Sequence, residues 1–69
     1  MTKAVLGNRL KDLRTGCGLT QAELAERVGV SRKTINTVEN GIFTPSTTLA
    51  LLLARALGVT VEEAFFLEE

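Results

Sequence analysis

Between Ser31 and Thr37 the chain reads Ser-Arg-Lys-Thr-Ile-Asn-Thr, and six of these seven side chains carry hydrogen-bonding groups. At helical spacing Ile35 falls on one side together with Val38, while Arg32, Lys33, Asn36 and Thr37 fall on the other, with Ser31 and Thr34 near the start. Residue types of this kind make hydrogen bonds to phosphate oxygens and to the edges of nucleobases. Two neighbouring basic residues alone are usually a solvated helix start. Positive charge at a helix N-terminus is locally unfavourable, however, so an external anion is the better reason for Arg32 and Lys33 to stand there. Other chemistries lack their groups. The chain has no His, one cysteine (Cys17), no phosphate-cradling glycine loop and no nucleophile with a recognisable base, so no enzyme and no zinc or cofactor site is expected.

The surrounding elements must hold that polar face outward. Thr20 followed by Glu23 forms a capping box that opens a helix with Ala22, Leu24, Ala25 and Val28 on its apolar side. Gly29 suits the left-handed residue that closes it, and Val30 is an apolar residue in the turn. Ser31 caps the next helix, Arg32–Asn40, which Gly41 ends. Two helices crossing steeply through so short a turn need a small residue at the crossing and apolar wedges beneath. Ala25 is the first, and Leu24, Val28, Val30, Ile35 and Val38 are the second. The pattern across 21–40 is therefore a helix-turn-helix.

Upstream, Asn8 is the expected N-cap of a first helix reaching Thr15, with Leu10 and Leu13 inward and Gly16 and Gly18 at its end. Cys17 is expected to be a small half-buried filler. Downstream, Ile42–Pro45 is a loop, and Ser46 or Thr47 caps a fourth helix ending at Leu57 before Gly58. That helix, TLALLLARAL, is apolar almost all round and so is buried on more than one side. Thr60 with Glu63 is a second capping box, opening a short fifth helix to about Phe65. Thr2–Leu6 is either a frayed tail or a brief strand, and Phe66–Glu69 fits a terminal strand that pairs with Ala4–Leu6.

At 69 residues the sequence suits one domain, 1–69, and at 45% hydrophobic and 23% charged it is too apolar for disorder. The apolar run at 49–57 is about half a membrane span, and MTKAVLGNRL lacks a signal-peptide pattern, so the expected location is the cytoplasm. Net charge is zero, yet its distribution is uneven. Residues 1–33 hold seven basic groups against three acidic ones, a balance of +4; residues 34–69 hold Arg55 against five glutamates, a balance of −4. A polyanion is expected to approach the first half. Lys3, Arg9 and Lys11 read as solvated surface, and Glu62, Glu63, Glu68 and Glu69 as a solubilising face.

The stretch LTQAELAERVGVSRKTINTVENG, continued by FTPSTTLALLLARALGVTVEEAF, resembles the phage repressor/Cro-like (XRE) family of regulators over roughly residues 8–67. It is most similar to small stand-alone members. The resemblance implies an all-α, five-helix lambda-repressor-like fold, here with a short two-stranded terminal β extension. It also implies sequence-specific binding of double-stranded DNA, as a homodimer on an inverted repeat, by a transcriptional regulator acting as a repressor. Gln21 matches the glutamine that meets a phosphate at the start of helix two. Ser31, Arg32, Lys33 and Thr37 match base- or phosphate-facing positions, with Thr34 beside them, and Asn36 and Asn40 are weaker matches for base edge and backbone. Phe43 and Thr44 occupy a loop that meets phosphates through main-chain amides, and Arg14 with Glu39 matches an internal ion pair. Thr47, Leu52 and Phe66 depart from the family pattern, and Leu52, Phe66 and Leu67 are the candidate dimer surface. An antitoxin and a protein-interaction module on the same fold are the alternatives. No membrane and no small-molecule partner is expected.

Overall fold

The computed structural model describes residues 4–69. Thr2 and Lys3 of the expected terminal segment lie outside the described residues. The elements run β1 (Val5–Asn8), α1 (Leu10–Gly16), α2 (Gln21–Val28), α3 (Arg32–Glu39), α4 (Thr47–Leu57), α5 (Val61–Ala64) and β2 (Phe65–Glu68). Their boundaries follow local chemistry. Thr20 and Thr60 each accept the amide of the glutamate three residues on, while that glutamate accepts the threonine's own amide. Ser31 and Ser46 cap α3 and α4 from their hydroxyls. Gly29 and Gly58 close α2 and α4 in the left-handed region, at φ 76° and 70°.

Leu10, Leu24, Ile35, Leu53 and Ala64 are fully buried, and Val38, Ala25 and Ala54 nearly so. Together with Leu49, Leu57 and Phe65 they form one core shared by the helices and the terminal ribbon. Ala25, the small residue expected at the helix crossing, is buried, and its carbonyl accepts the Val30 amide of the turn. Among the described residues, no helix is long and apolar enough to cross a membrane.

β1 and β2 pair antiparallel, from Val5↔Glu68 to Asn8↔Phe65, so the first strand starts one residue later and ends two residues later than the expected Ala4–Leu6. The ribbon captures Asn8, which changes its role. α1 starts at Leu10 with Arg9 at its N-cap. Asn8 still accepts the Leu10 amide through Oδ1 at 3.1 Å, but it also donates Nδ2–H to the Val38 carbonyl at 3.0 Å. It thus satisfies a carbonyl in the last turn of α3. The fifth helix is correspondingly shorter than expected, because Phe65 is already extended.

Two surface assignments need correction. Ala22 is exposed and not part of the apolar side of α2. Cys17 is exposed at the end of α1. On α4 the large apolar side chain left most open is Leu51, 55% exposed, and Leu52 is half-buried. Phe66 is also half-buried, its ring carrying the Arg9 guanidinium 4.4 Å from its centroid. Leu67 is 67% exposed.

Candidate nucleic-acid interface

The turn between α2 and α3 is fixed by main-chain bonds. The Val30 amide reaches back to the Ala25 carbonyl at 3.0 Å and the Gly29 amide to Glu26. Ser31 then accepts the Thr34 amide at 3.1 Å, so α3 begins without a spare residue. Ile35 and Val38 anchor it in the core. Arg32, Lys33, Asn36 and Asn40 are exposed, and Thr34 and Thr37 are half-buried beside them.

Gln21, Arg32, Lys33 and Asn36 line one surface concavity, so the start of α2 and the start of α3 face a common space. No acidic side chain lines it. At the α2 end the capping box occupies the amides of Thr20 and Glu23. The amides of Gln21 and Ala22 have no intrahelical partner and remain for an external acceptor. An adjoining concavity runs from Arg32 past Gln21 to Gly18 and Thr15.

Behind this surface lies the one salt bridge among the described residues. Arg14 Nε stands 2.7 Å from Glu39 Oε2, and Arg14 Nη2 3.2 Å from Glu39 Oε1. Arg14 Nη1 donates to the Leu19 carbonyl at 2.9 Å, so the guanidinium is held on three sides. The Glu39 side chain is 3% exposed. Its hydrogen bond and then its charge raise the Arg14 pKa against the opposing effect of burial. Glu39 also accepts Gln21 Nε2–H at 3.1 Å. This last bond joins residues 18 apart in the chain, and no local spacing pointed to it. One carboxylate therefore ties α1, the start of α2 and the end of α3 together. With its oxygens engaged, it projects little negative charge toward the concavity.

The loop after α3 is closed by its own amides. Gly41 takes φ 73°, and the amides of Ile42 and Phe43 both turn back to the Thr37 carbonyl, at 2.9 and 3.2 Å. The Phe43 amide is thus already committed, and the Thr44 amide is the one that has no backbone partner in the loop. The Phe43 side chain is 49% exposed and that of Ile42 78%.

A short polar helix held outward by a tight turn over an apolar wedge is the helix-turn-helix arrangement of DNA-binding regulators. The family model described as helix-turn-helix (HTH_3) matches residues 10–63, and the chain belongs to that family. The HTH-type transcriptional regulator YgzD of Bacillus subtilis is 42% identical over 62 residues, covering 90% of this chain and 94% of its own. An HTH-type transcriptional regulator of Methanothermobacter thermautotrophicus is 51% identical over 61 residues, covering 87% and 88%. Among solved structures, the restriction-modification controller protein C.AhdI of Aeromonas hydrophila superposes with a TM-score of 0.76. It is 40% identical, over 80% of this chain and 83% of that one. The five helices with their small antiparallel sheet are thus a lambda-repressor-like domain, and the protein is a transcriptional regulator with a DNA-binding fold, not an enzyme.

Proposed function

We propose that the protein binds duplex DNA sequence-specifically as a homodimer on an inverted repeat, with α3 in the major groove, and represses the promoter it occupies. The observation that carries this reading is the concavity where Arg32 and Lys33 meet Gln21 and Asn36 with no acidic side chain on its wall. Arg32 and Lys33 reach base edges or phosphates, and Ser31, Thr34, Asn36 and Thr37 supply polar contacts beside them. Gln21 and the free amides of α2 hold a phosphate. The Thr44 amide meets the backbone on the far side of α3.

The dimer is favoured by two considerations. An eight-residue helix spans only a few base pairs, so a second copy supplies the remaining affinity and length. Leu51 and Leu67, both beyond α3 in the chain, are large apolar side chains left open. In the dimer the two α3 helices stand about 34 Å apart, to enter successive grooves on one face. Occupancy of an operator overlapping a promoter is enough to repress, and the proposed place of action is the cytoplasm. The test is selection of bound sequences from random duplex DNA, repeated at several salt concentrations. An inverted repeat with affinity falling steeply as salt rises is expected. Recovery of no motif, without salt-dependent binding, would remove the reading.

A further inference from the structure

The donors and acceptors of α3 are not left free in equal measure. Arg32 and Lys33 carry donors only, and neither has an ion-pair partner among the described residues. Ser31 Oγ already accepts the Thr34 amide and shares a 3.0 Å hydrogen bond with the Thr34 hydroxyl. Thr37 spends its hydroxyl proton on the Thr34 carbonyl at 3.0 Å. Asn36 is the decisive residue. A free carboxamide reads adenine edge-on, its oxygen taking N6–H while its nitrogen donates to N7. Here Asn40, one turn on, donates Nδ2–H to Asn36 Oδ1 at 3.3 Å. The bond engages one of the two lone pairs of that oxygen and draws it along the helix toward Asn40, so the Nδ2–H is the group Asn36 turns most freely toward a base.

Arg32, Lys33 and Asn36, the three groups that share the concavity with Gln21, therefore present donors. Of the four bases, guanine alone offers two adjacent acceptors, O6 and N7, in the major groove. Adenine places an N6 donor beside N7, cytosine presents a donor at N4, and thymine sets a methyl beside O4. We infer that each operator half-site carries neighbouring G·C pairs whose guanines are read by Arg32, Lys33 and Asn36, and that Asn40 is the positioning residue that keeps Asn36 a donor. The inference rests on the proposed entry of α3 into the major groove.

Sequence selection with the wild-type chain and with Asn40→Ala tests it, followed by affinity measurements on the selected site with 7-deazaguanine replacing each guanine in turn. The wild type is expected to return at least two neighbouring G·C pairs in each half-site, and loss of N7 at each to weaken binding by about tenfold. Asn40 is exposed, so Asn40→Ala is expected to fold and to shift one of these positions several-fold toward adenine while the others hold. A uniform loss of affinity with an unchanged base preference would overturn the positioning role. Should Asn40→Ala fail to fold, Asn36→Ala takes its place: it is expected to lose discrimination at a single guanine, and unchanged discrimination there overturns the assignment. A selected motif without neighbouring G·C pairs overturns the guanine reading and leaves DNA binding standing. Absence of any motif removes both.

Discussion

Replacing Glu39 by alanine is the perturbation with the widest consequence. The carboxylate accepts from Arg14 Nε at 2.7 Å, Arg14 Nη2 at 3.2 Å and Gln21 Nε2 at 3.1 Å. Its removal leaves a guanidinium whose side chain is only 10% exposed, with the Leu19 carbonyl as its remaining described partner. Breaking a buried ion pair from one side costs about 3–5 kcal/mol, because the surviving charge is left without compensation. A chain of 69 residues holds roughly 3–10 kcal/mol in all, so Glu39→Ala consumes a large share of it. At about 4–8 °C per kcal/mol for a domain of this size, the expected fall in Tm is on the order of 12–40 °C. Urea unfolding followed by circular dichroism gives the free energy directly. The double variant Arg14→Met/Glu39→Leu separates charge from shape. It removes both ions and is expected to regain most of the loss, less about 1–2 kcal/mol for the Leu19 carbonyl left without its donor. A loss below about 1 kcal/mol for Glu39→Ala, the value of an exposed surface pair, would refute the bracing of α1, α2 and α3 by this network.

Three further outcomes are expected. Hydrogen bonds from the backbone amides and hydroxyls of Thr20 and Thr60 hold Glu23 and Glu63 below their ordinary pKa of 4.5, so their stabilisation is present above that value and is lost as pH falls through the lowered one. Melting temperature should thus hold steady down to about pH 5 and decline below it, less steeply in Glu23→Gln/Glu63→Gln; an identical decline would deny the capping boxes a role. Gly7→Ala puts a Cβ into the Phe66 ring and the Glu68 carboxylate, so it should lift the ring from beneath Arg9 and cost about 1–3 kcal/mol, read by denaturant melts and by faster amide exchange in β1. Leu51→Glu should weaken the proposed dimer by tenfold or more in sedimentation equilibrium, since burying a leucine contributes about 1.5–3 kcal/mol, and an unchanged dissociation constant would place the interface elsewhere.

What the sequence disclosed was what acts over one turn of chain. Thr20 with Glu23 and Thr60 with Glu63 are three residues apart, and their reciprocal bonds follow from that spacing. Gly29 stands where only a residue tolerant of positive φ fits. The pairing of Arg14 with Glu39 came from the family resemblance, since nothing local links residues 25 apart. The Gln21 bond to the same carboxylate and the Asn8 bond to Val38 were hidden for the same reason. Asn8 suited a helix cap in its own right, and only the pairing with Phe65 shows it belongs to a strand. On α4 the apolar residues surround the axis, so periodicity could not distinguish Leu51 from Leu52; the packing of α2 and α5 against α4 does.

The terminal ribbon has a kinetic consequence. α1 to α5 form from contacts between near neighbours, whereas Val5 meets Glu68 across almost the whole chain. Closing a loop of that length costs entropy that is repaid only when the intervening helices have already shortened the span. The ribbon is then expected to assemble last and to open first, which amide exchange in β1 and β2 would show. Its opening uncovers Leu6 and Phe65 and takes from Val38 the amide of Asn8. The outermost strands of the molecule thereby govern how firmly the final turn of α3 is held.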